Sequence, residues 1–117
     1  MIVVATDAPL DARNLERLAQ RAALGIARTG GYNSNGSGDY AIAFSTAAEV
    51  RVPHRSPSPT RMVTILRNES VSPLFLAAAE AAEEAILNSL FKAVRVEGFE
   101  KHVAEPLPLD RLKSILK

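Results

Sequence analysis

The sequence predicts a layered domain of mixed helix and strand, α/β or α+β, and three observations carry that expectation. The chain opens on Met1-Ile2-Val3-Val4-Ala5, a continuous, mostly β-branched apolar run with strand composition. Tyr40 to Ser45 alternates large Tyr40, Ile42 and Phe44 with small Ala41, Ala43 and Ser45, the period of a strand with two unlike faces. Two longer segments repeat apolar residues at helical spacing, and helices with one apolar stripe need another layer to bury it against.

Taken in order, the opening run reads as a strand buried on both faces. Asp7-Ala8-Pro9-Leu10 is a turn, with Asp7 as the residue that closes it. Asp11 is placed to cap a helix whose apolar positions are Leu15, Leu18, Ala19, Ala22, Ala23 and Ile26. Its outer face carries Arg13, Glu16, Arg17, Gln20 and Arg21, read as solvated, and Gly30-Gly31 stops it. Residues 30–39 are loop. Val50 to Thr60, with Pro53, Pro57, Pro59 and His54, is a long irregular connection. Met62 to Leu66 reads as a second interior strand. Ser72-Pro73 is a helix start, followed by Phe75, Ala78, Ala79, Ala82, Ile86 and Leu90 as the apolar stripe and Glu80, Glu83 and Glu84 outside. Gly98 is expected to end this helix, and Asp110 to Leu116 to form a short terminal one.

Bulk composition narrows the function. At 117 residues the chain is one domain's worth, 1–117, and 47% hydrophobic content supports a core. Much of that content is alanine, which buries little area per residue, so a partner surface is expected to complete the core. A net charge of +1 gives no electrostatic footprint for nucleic acid. Absence of cysteine excludes disulfides, thiolate chemistry and sulfur-ligated metals. No apolar run is long enough to span a membrane, and the first residues lack the basic region of a signal peptide.

Chemistry concentrates in Asn35-Gly36-Ser37-Gly38-Asp39. Ser37 and Asp39 are two apart at the mouth of a strand, where alternation puts both on one side. Gly36 and Gly38 permit close backbone approach, and Asn35 belongs to the same turn. An aspartate there can bind an ammonium group or orient a hydroxyl. Residue types alone leave this segment open between a site and an ordinary polar turn. A phosphate loop is disfavoured because a strand, not a helix, follows the glycines. His54 and His102 stand alone, without metal-ligand spacing or the context of a catalytic triad, and read as solvated. Asn68 and Asn88 read as hydrogen-bonding residues, not as chemistry.

The blocks Ile2-Val3-Val4-Ala5-Thr6-Asp7-Ala8-Pro9-Leu10, Arg21-Ala22-Ala23-Leu24-Gly25, Asn35-Gly36-Ser37-Gly38-Asp39, Ala43-Phe44-Ser45-Thr46 and Glu83-Glu84-Ala85-Ile86-Leu87-Asn88 resemble, in order, the β-subunit of the DmpA-type aminopeptidases. These are the L-aminopeptidase/D-esterase and β-peptidyl aminopeptidase family. The resemblance implies an α+β fold, part of an α/β/β/α sandwich like that of the ornithine acetyltransferases, completed by a separate α-chain. It implies a precursor that cuts itself once and frees a serine or threonine, which is nucleophile and, through its α-amine, base. It further implies no cofactor and no metal, a small peptide, amide or ester substrate, and higher assembly of αβ pairs, typically a tetramer. The family's second serine falls on Ser37 and its acidic neighbour on Asp39, where some members carry glutamate. Asn35, Gly36 and Gly38 would line the substrate.

One departure matters. The family's nucleophile lies one or two residues before the position of Met1, and methionine cannot take that role. The expectation is therefore that the nucleophile sits just outside the chain as given, with the oxyanion donors on the α-chain. An interior strand that begins at residue 1 without a lead-in fits a cut or shortened chain. The alternative is a non-catalytic binding or structural subunit that keeps the fold. The choice among D-, L- and β-amino acid substrates is left open, as is the compartment.

Overall fold

The computed structural model describes residues 1–116, so the last residue of the expected domain, Lys117, lies outside them. The chain divides into two compact units, Met1–Glu83 and Glu84–Lys117.

The first unit is built on β1 (Ile2–Thr6), α1 (Ala12–Arg28) and β2 (Ala41–Ser45), with the start of α2 (Ser72–Phe91). β1 and β2 pair in parallel, Ile2 opposite Ala41 through Thr6 opposite Ser45, so the chain forms a strand–helix–strand unit with α1 as crossover. Asp11 caps α1 as its position requires: its carboxylate accepts the Asn14 backbone N–H at 2.9 Å. The helix ends at Arg28 with Thr29 as its cap, just ahead of Gly30-Gly31.

The core lies between the sheet and the helices. Leu10, Leu18, Val71 and Ala78 form its buried centre, with Val4, Ala43, Leu66, Leu74 and Phe75 packed against it. Helices α1 and α2 approach closely because small residues meet there. A Cβ placed on Gly25 would lie 2.6 Å from the Ala79 carbonyl oxygen and 2.6 Å from the Ala82 Cβ. Alanine at 78, 79 and 82 completes that contact.

Two expectations for the first unit change. β1 is covered on one face only. Ile2, Val4 and Thr6 turn inward, whereas Val3 is 56% exposed, as are its β2 face-mates Ile42 (57%) and Phe44 (44%). The large residues of β2 therefore stand on an open face and its small ones, Ala43 and Ser45, against the helical side. Second, Met62 to Leu66 forms no strand. It lacks a ladder partner: the Leu66 N–H donating to the Pro9 carbonyl at 2.8 Å is not part of any sheet. Strand composition without a neighbour to satisfy its N–H and C=O groups does not make a strand.

In the second unit α2 ends at Phe91, earlier than Gly98. Val96–Glu97 (β3) and Val103–Ala104 (β4) then pair antiparallel around a short 3₁₀ turn, Phe99–Lys101. Gly98 serves this hairpin, not the helix: its N–H donates to the His102 carbonyl at 2.7 Å. Leu109–Ile115 is the terminal helix, α3. Among the described residues no helix is long and apolar enough to cross a membrane.

Candidate functional site

The loop between α1 and β2 is held by backbone geometry before any side chain acts. The Ser37 N–H donates to the Ser34 carbonyl at 2.8 Å, closing a four-residue turn with Asn35 and Gly36 at its centre. Gly36 has φ +129°, a conformation that residues with a Cβ rarely adopt. Gly38 is less constrained, since a Cβ there would meet only the Tyr40 ring edge at an ordinary 3.8 Å.

This turn delivers Ser37 and Asp39 to each other. The Ser37 hydroxyl donates to Asp39 Oδ2 at 2.5 Å, a short charge-assisted bond. Both residues are open to solvent, as are Asn35, Gly36 and Gly38. Among the described residues only one carboxylate oxygen of Asp39 is engaged, and a carboxylate can accept at its second oxygen as well. The pair can thus orient a hydroxyl and hold an ammonium group in the same place.

The loop is tied to β1 by a contact that residue types did not announce. The Ile2 N–H donates to the Tyr40 carbonyl at 2.7 Å, one residue past Asp39. The sheet register is the signal that locates this contact. The start of β1 and the Ser37–Asp39 pair are therefore neighbours, although 35 or more positions separate them along the chain.

The far end of the strand pair is stitched by hydroxyls. Ser45 Oγ donates to the Ala8 carbonyl at 2.6 Å and accepts from the Ala47 N–H, and Thr46 Oγ1 donates to the Thr6 carbonyl at 3.2 Å. Thr6 Oγ1 accepts the Ala8 N–H at 3.1 Å, so Thr6, not Asp7, closes the turn after β1. A cavity of about 580 Å³ opens at this end, walled by Leu10, Leu15, Phe44, Val63, Ile65 and Arg61.

His54 and His102 are exposed, and among the described residues no three His, Cys, Asp or Glu side chains are grouped to hold a metal ion. Asn68 accepts a hydrogen bond from Arg17 at 2.7 Å, and Asn88 donates to Glu84 at 3.4 Å.

The model of peptidase family S58 matches residues 1–104. The chain belongs to peptidase family S58. Two relatives, both named beta-peptidyl aminopeptidase BapA, are similar over all of the chain: 42% identical in Sphingosinicella microcystinivorans and 36% in Sphingosinicella xenopeptidilytica. The chain spans 29% of the length of each. Among solved structures, the PH0078 protein of Pyrococcus horikoshii superposes with a TM-score of 0.85 at 49% identity, over 98% of this chain and 32% of that one. The L-aminopeptidase D-Ala-esterase/amidase of Ochrobactrum anthropi, described as a variant of the Ntn hydrolase fold, gives 0.82 at 38% identity, over 98% and 32% of the two chains. A Burkholderia beta-aminopeptidase gives 0.78 at 40%, over 97% and 33%.

The S58 chain thus has the α+β fold expected of it, as a part of the layered Ntn-type architecture of these structures. It spans about a third of their length.

Proposed function

We propose that this S58 chain is the β-subunit of a self-processing aminopeptidase or amidohydrolase acting on short peptides, amides or esters. Its partner is an α-chain cut from the same precursor, and a serine or threonine just before the position of Met1 is the nucleophile. The coverage of the relatives supports a larger parent protein, because the chain matches only 29% of the length of each.

The observation that carries the reading is the strand register. The ladder runs from Ile2 opposite Ala41 to Thr6 opposite Ser45. The same register extended backwards would set Met1 opposite Tyr40 and residues one and two positions earlier opposite Asp39 and Gly38. A nucleophile there would stand beside the Ser37–Asp39 hydrogen bond. Its α-amine takes the proton of its own hydroxyl, and the oxygen attacks the substrate carbonyl carbon. The tetrahedral adduct expels the amine leaving group, which receives the proton, and leaves an acyl-enzyme. Water repeats the sequence and frees the acid. In this scheme Ser37 hydrogen-bonds near the nucleophile, its oxygen accepting while its proton stays directed at Asp39. Asp39 balances the charge of an ammonium, and Asn35, Gly36 and Gly38 shape the wall against the substrate. No metal or cofactor enters any step.

The open face of β1 and β2 supports the partner chain. Val3, Ile42 and Phe44 are each half-exposed there, and burying the remaining half of such side chains stabilises by about 1 kcal/mol each.

Mass spectrometry of the purified protein tests the reading. A second, larger polypeptide and a β-chain beginning with Ser or Thr ahead of Met1 are expected. A single chain initiated at Met1, with no partner and no hydrolysis of an aminoacyl p-nitroanilide, would instead identify a non-catalytic subunit.

A further inference from the structure

Of the five asparagines in the chain, four precede a residue with a side chain: Leu15, Ser34, Glu69 and Ser89. Asn35 alone precedes a glycine. An asparagine side chain carries an electrophilic amide carbon, Cγ, within reach of the backbone nitrogen of the next residue. Attack by that nitrogen closes a five-membered ring. A Cβ on the next residue crowds the ring, and glycine has none.

The fold leaves both reacting groups unengaged. Asn35 and Gly36 are the two central residues of the Ser34–Ser37 turn, and the bond that closes it, Ser37 N–H to the Ser34 carbonyl, uses neither of them. Among the described residues the Asn35 side-chain amide and the Gly36 N–H form no hydrogen bond. Both residues are exposed, and a Cβ placed on Gly36 would meet nothing within 4 Å, so the ring has room to form.

The other asparagines are restrained or crowded. Asn14 is buried and accepts from Arg17 at 2.8 Å, Asn68 accepts from the same arginine at 2.7 Å, and Asn88 donates to Glu84 within α2. Asn33 is exposed like Asn35, but the Ser34 Cβ stands beside it.

We propose that Asn35 is a site of spontaneous covalent modification, by ring closure onto Gly36 that converts it to isoaspartate and disables the Ser37–Asp39 pair. The Gly36 nitrogen forms a bond to Asn35 Cγ, and the bond from Cγ to the side-chain nitrogen breaks. That nitrogen leaves as ammonia, taking the proton that Gly36 gives up. Water then opens the cyclic imide. Addition at Cγ yields aspartate. Addition at the main-chain carbonyl carbon yields isoaspartate, in which the chain runs through Cβ and Cγ and the main-chain carbon becomes a free carboxylate. The backbone gains one atom, about 1.5 Å of path, two residues ahead of Ser37. The loss of turnover rests on the role proposed above for the Ser37–Asp39 pair; the conversion of Asn35 does not.

Peptide mapping of the assembled protein after prolonged incubation in mildly alkaline buffer tests this. The tryptic peptide of residues 29–51 holds both Asn33 and Asn35. It is expected to gain about 1 Da, placed at Asn35 by fragmentation, with Asn33 unchanged. Hydrolysis of an aminoacyl p-nitroanilide should fall in step with the isoaspartate fraction, each converted molecule turning over about 100-fold more slowly, the scale of a misplacement of about 1 Å. Asn35→Gln, whose longer side chain closes the larger ring poorly, should hold its mass and whatever turnover it starts with. Asn35→Asp adds the charge without the extra backbone atom and should turn over faster than the isoaspartate form. An unchanged mass at Asn35 overturns the proposal. Isoaspartate without loss of turnover, or an equal loss in Asn35→Asp, overturns the disabling by a lengthened backbone. Failure of the functional reading shows elsewhere, as absent hydrolysis by the fresh protein, and leaves the peptide map intact.

Discussion

At the residue scale, the Ser37–Asp39 hydrogen bond is a small feature with a large proposed effect. An exposed hydrogen bond adds little to stability, because water replaces either partner at small cost. Loss of either side chain should therefore leave the fold intact and act on turnover. Ser37→Ala and Asp39→Ala are expected to lower kcat/KM for an aminoacyl p-nitroanilide about 100-fold or more, the scale of a positioned proton-transfer or charge-stabilising group. Steady-state kinetics beside a thermal melt checks both halves, and unchanged turnover would return the segment to an ordinary turn. Asp39→Glu extends the reach by one methylene and should retain more activity than Asp39→Ala. Asn35 to Asp39 was legible as a candidate because Asn, Gly, Ser and Asp crowd before a strand. The same residues make turns for local reasons, so residue types alone left it undecided.

At the element scale, stability turns on how close α1 and α2 come. Gly25→Ala forces a methyl against the Ala79 carbonyl oxygen, the Ala82 Cβ and the Glu83 backbone nitrogen, all within 2.7 Å. Backbone does not yield as a flexible side chain does. The substitution should cost about 1–3 kcal/mol despite the better helix propensity of alanine, read as a shift in the denaturation midpoint. Asp11→Ala removes the cap on α1 and should cost about 1 kcal/mol by the same measurement. The Arg28–Glu83 pair is partly exposed, so Glu83→Gln should change stability by well under 1 kcal/mol. Both long helices were legible because their start signals, Asp11 and Ser72-Pro73, and 3.6-residue periodicity agree. Met62 to Leu66 was misread because period and composition report what a side chain tolerates, not whether a neighbouring strand is present to bond to.

At the scale of the whole molecule, a sheet of two strands with an apolar face open is marginal by itself. The chain expressed alone should bind a hydrophobic dye such as ANS and aggregate with concentration. Assembled with its proposed partner it should do neither. Hydrogen exchange offers a sharper readout: amides of Met62 to Ile65 should exchange fast in the lone chain, and slow markedly if the partner supplies the missing ladder.

By itself the sequence determined the two long helices, the Asp11 cap of α1, the strand at each end of the crossover, and the family to which the ordered blocks point. Each of these depends on neighbours within a few residues or on motifs read in order. Only the tertiary structure decided that β1 and β2 run parallel in a register that seats the start of β1 beside Tyr40 and the Ser37–Asp39 pair. It alone showed one face of that sheet open and Arg17 and Arg21 drawn onto the Phe75 ring. Those features join residues far apart in the chain, and pairing across such distances is settled by which backbone groups and surfaces meet in space, which local pattern does not encode.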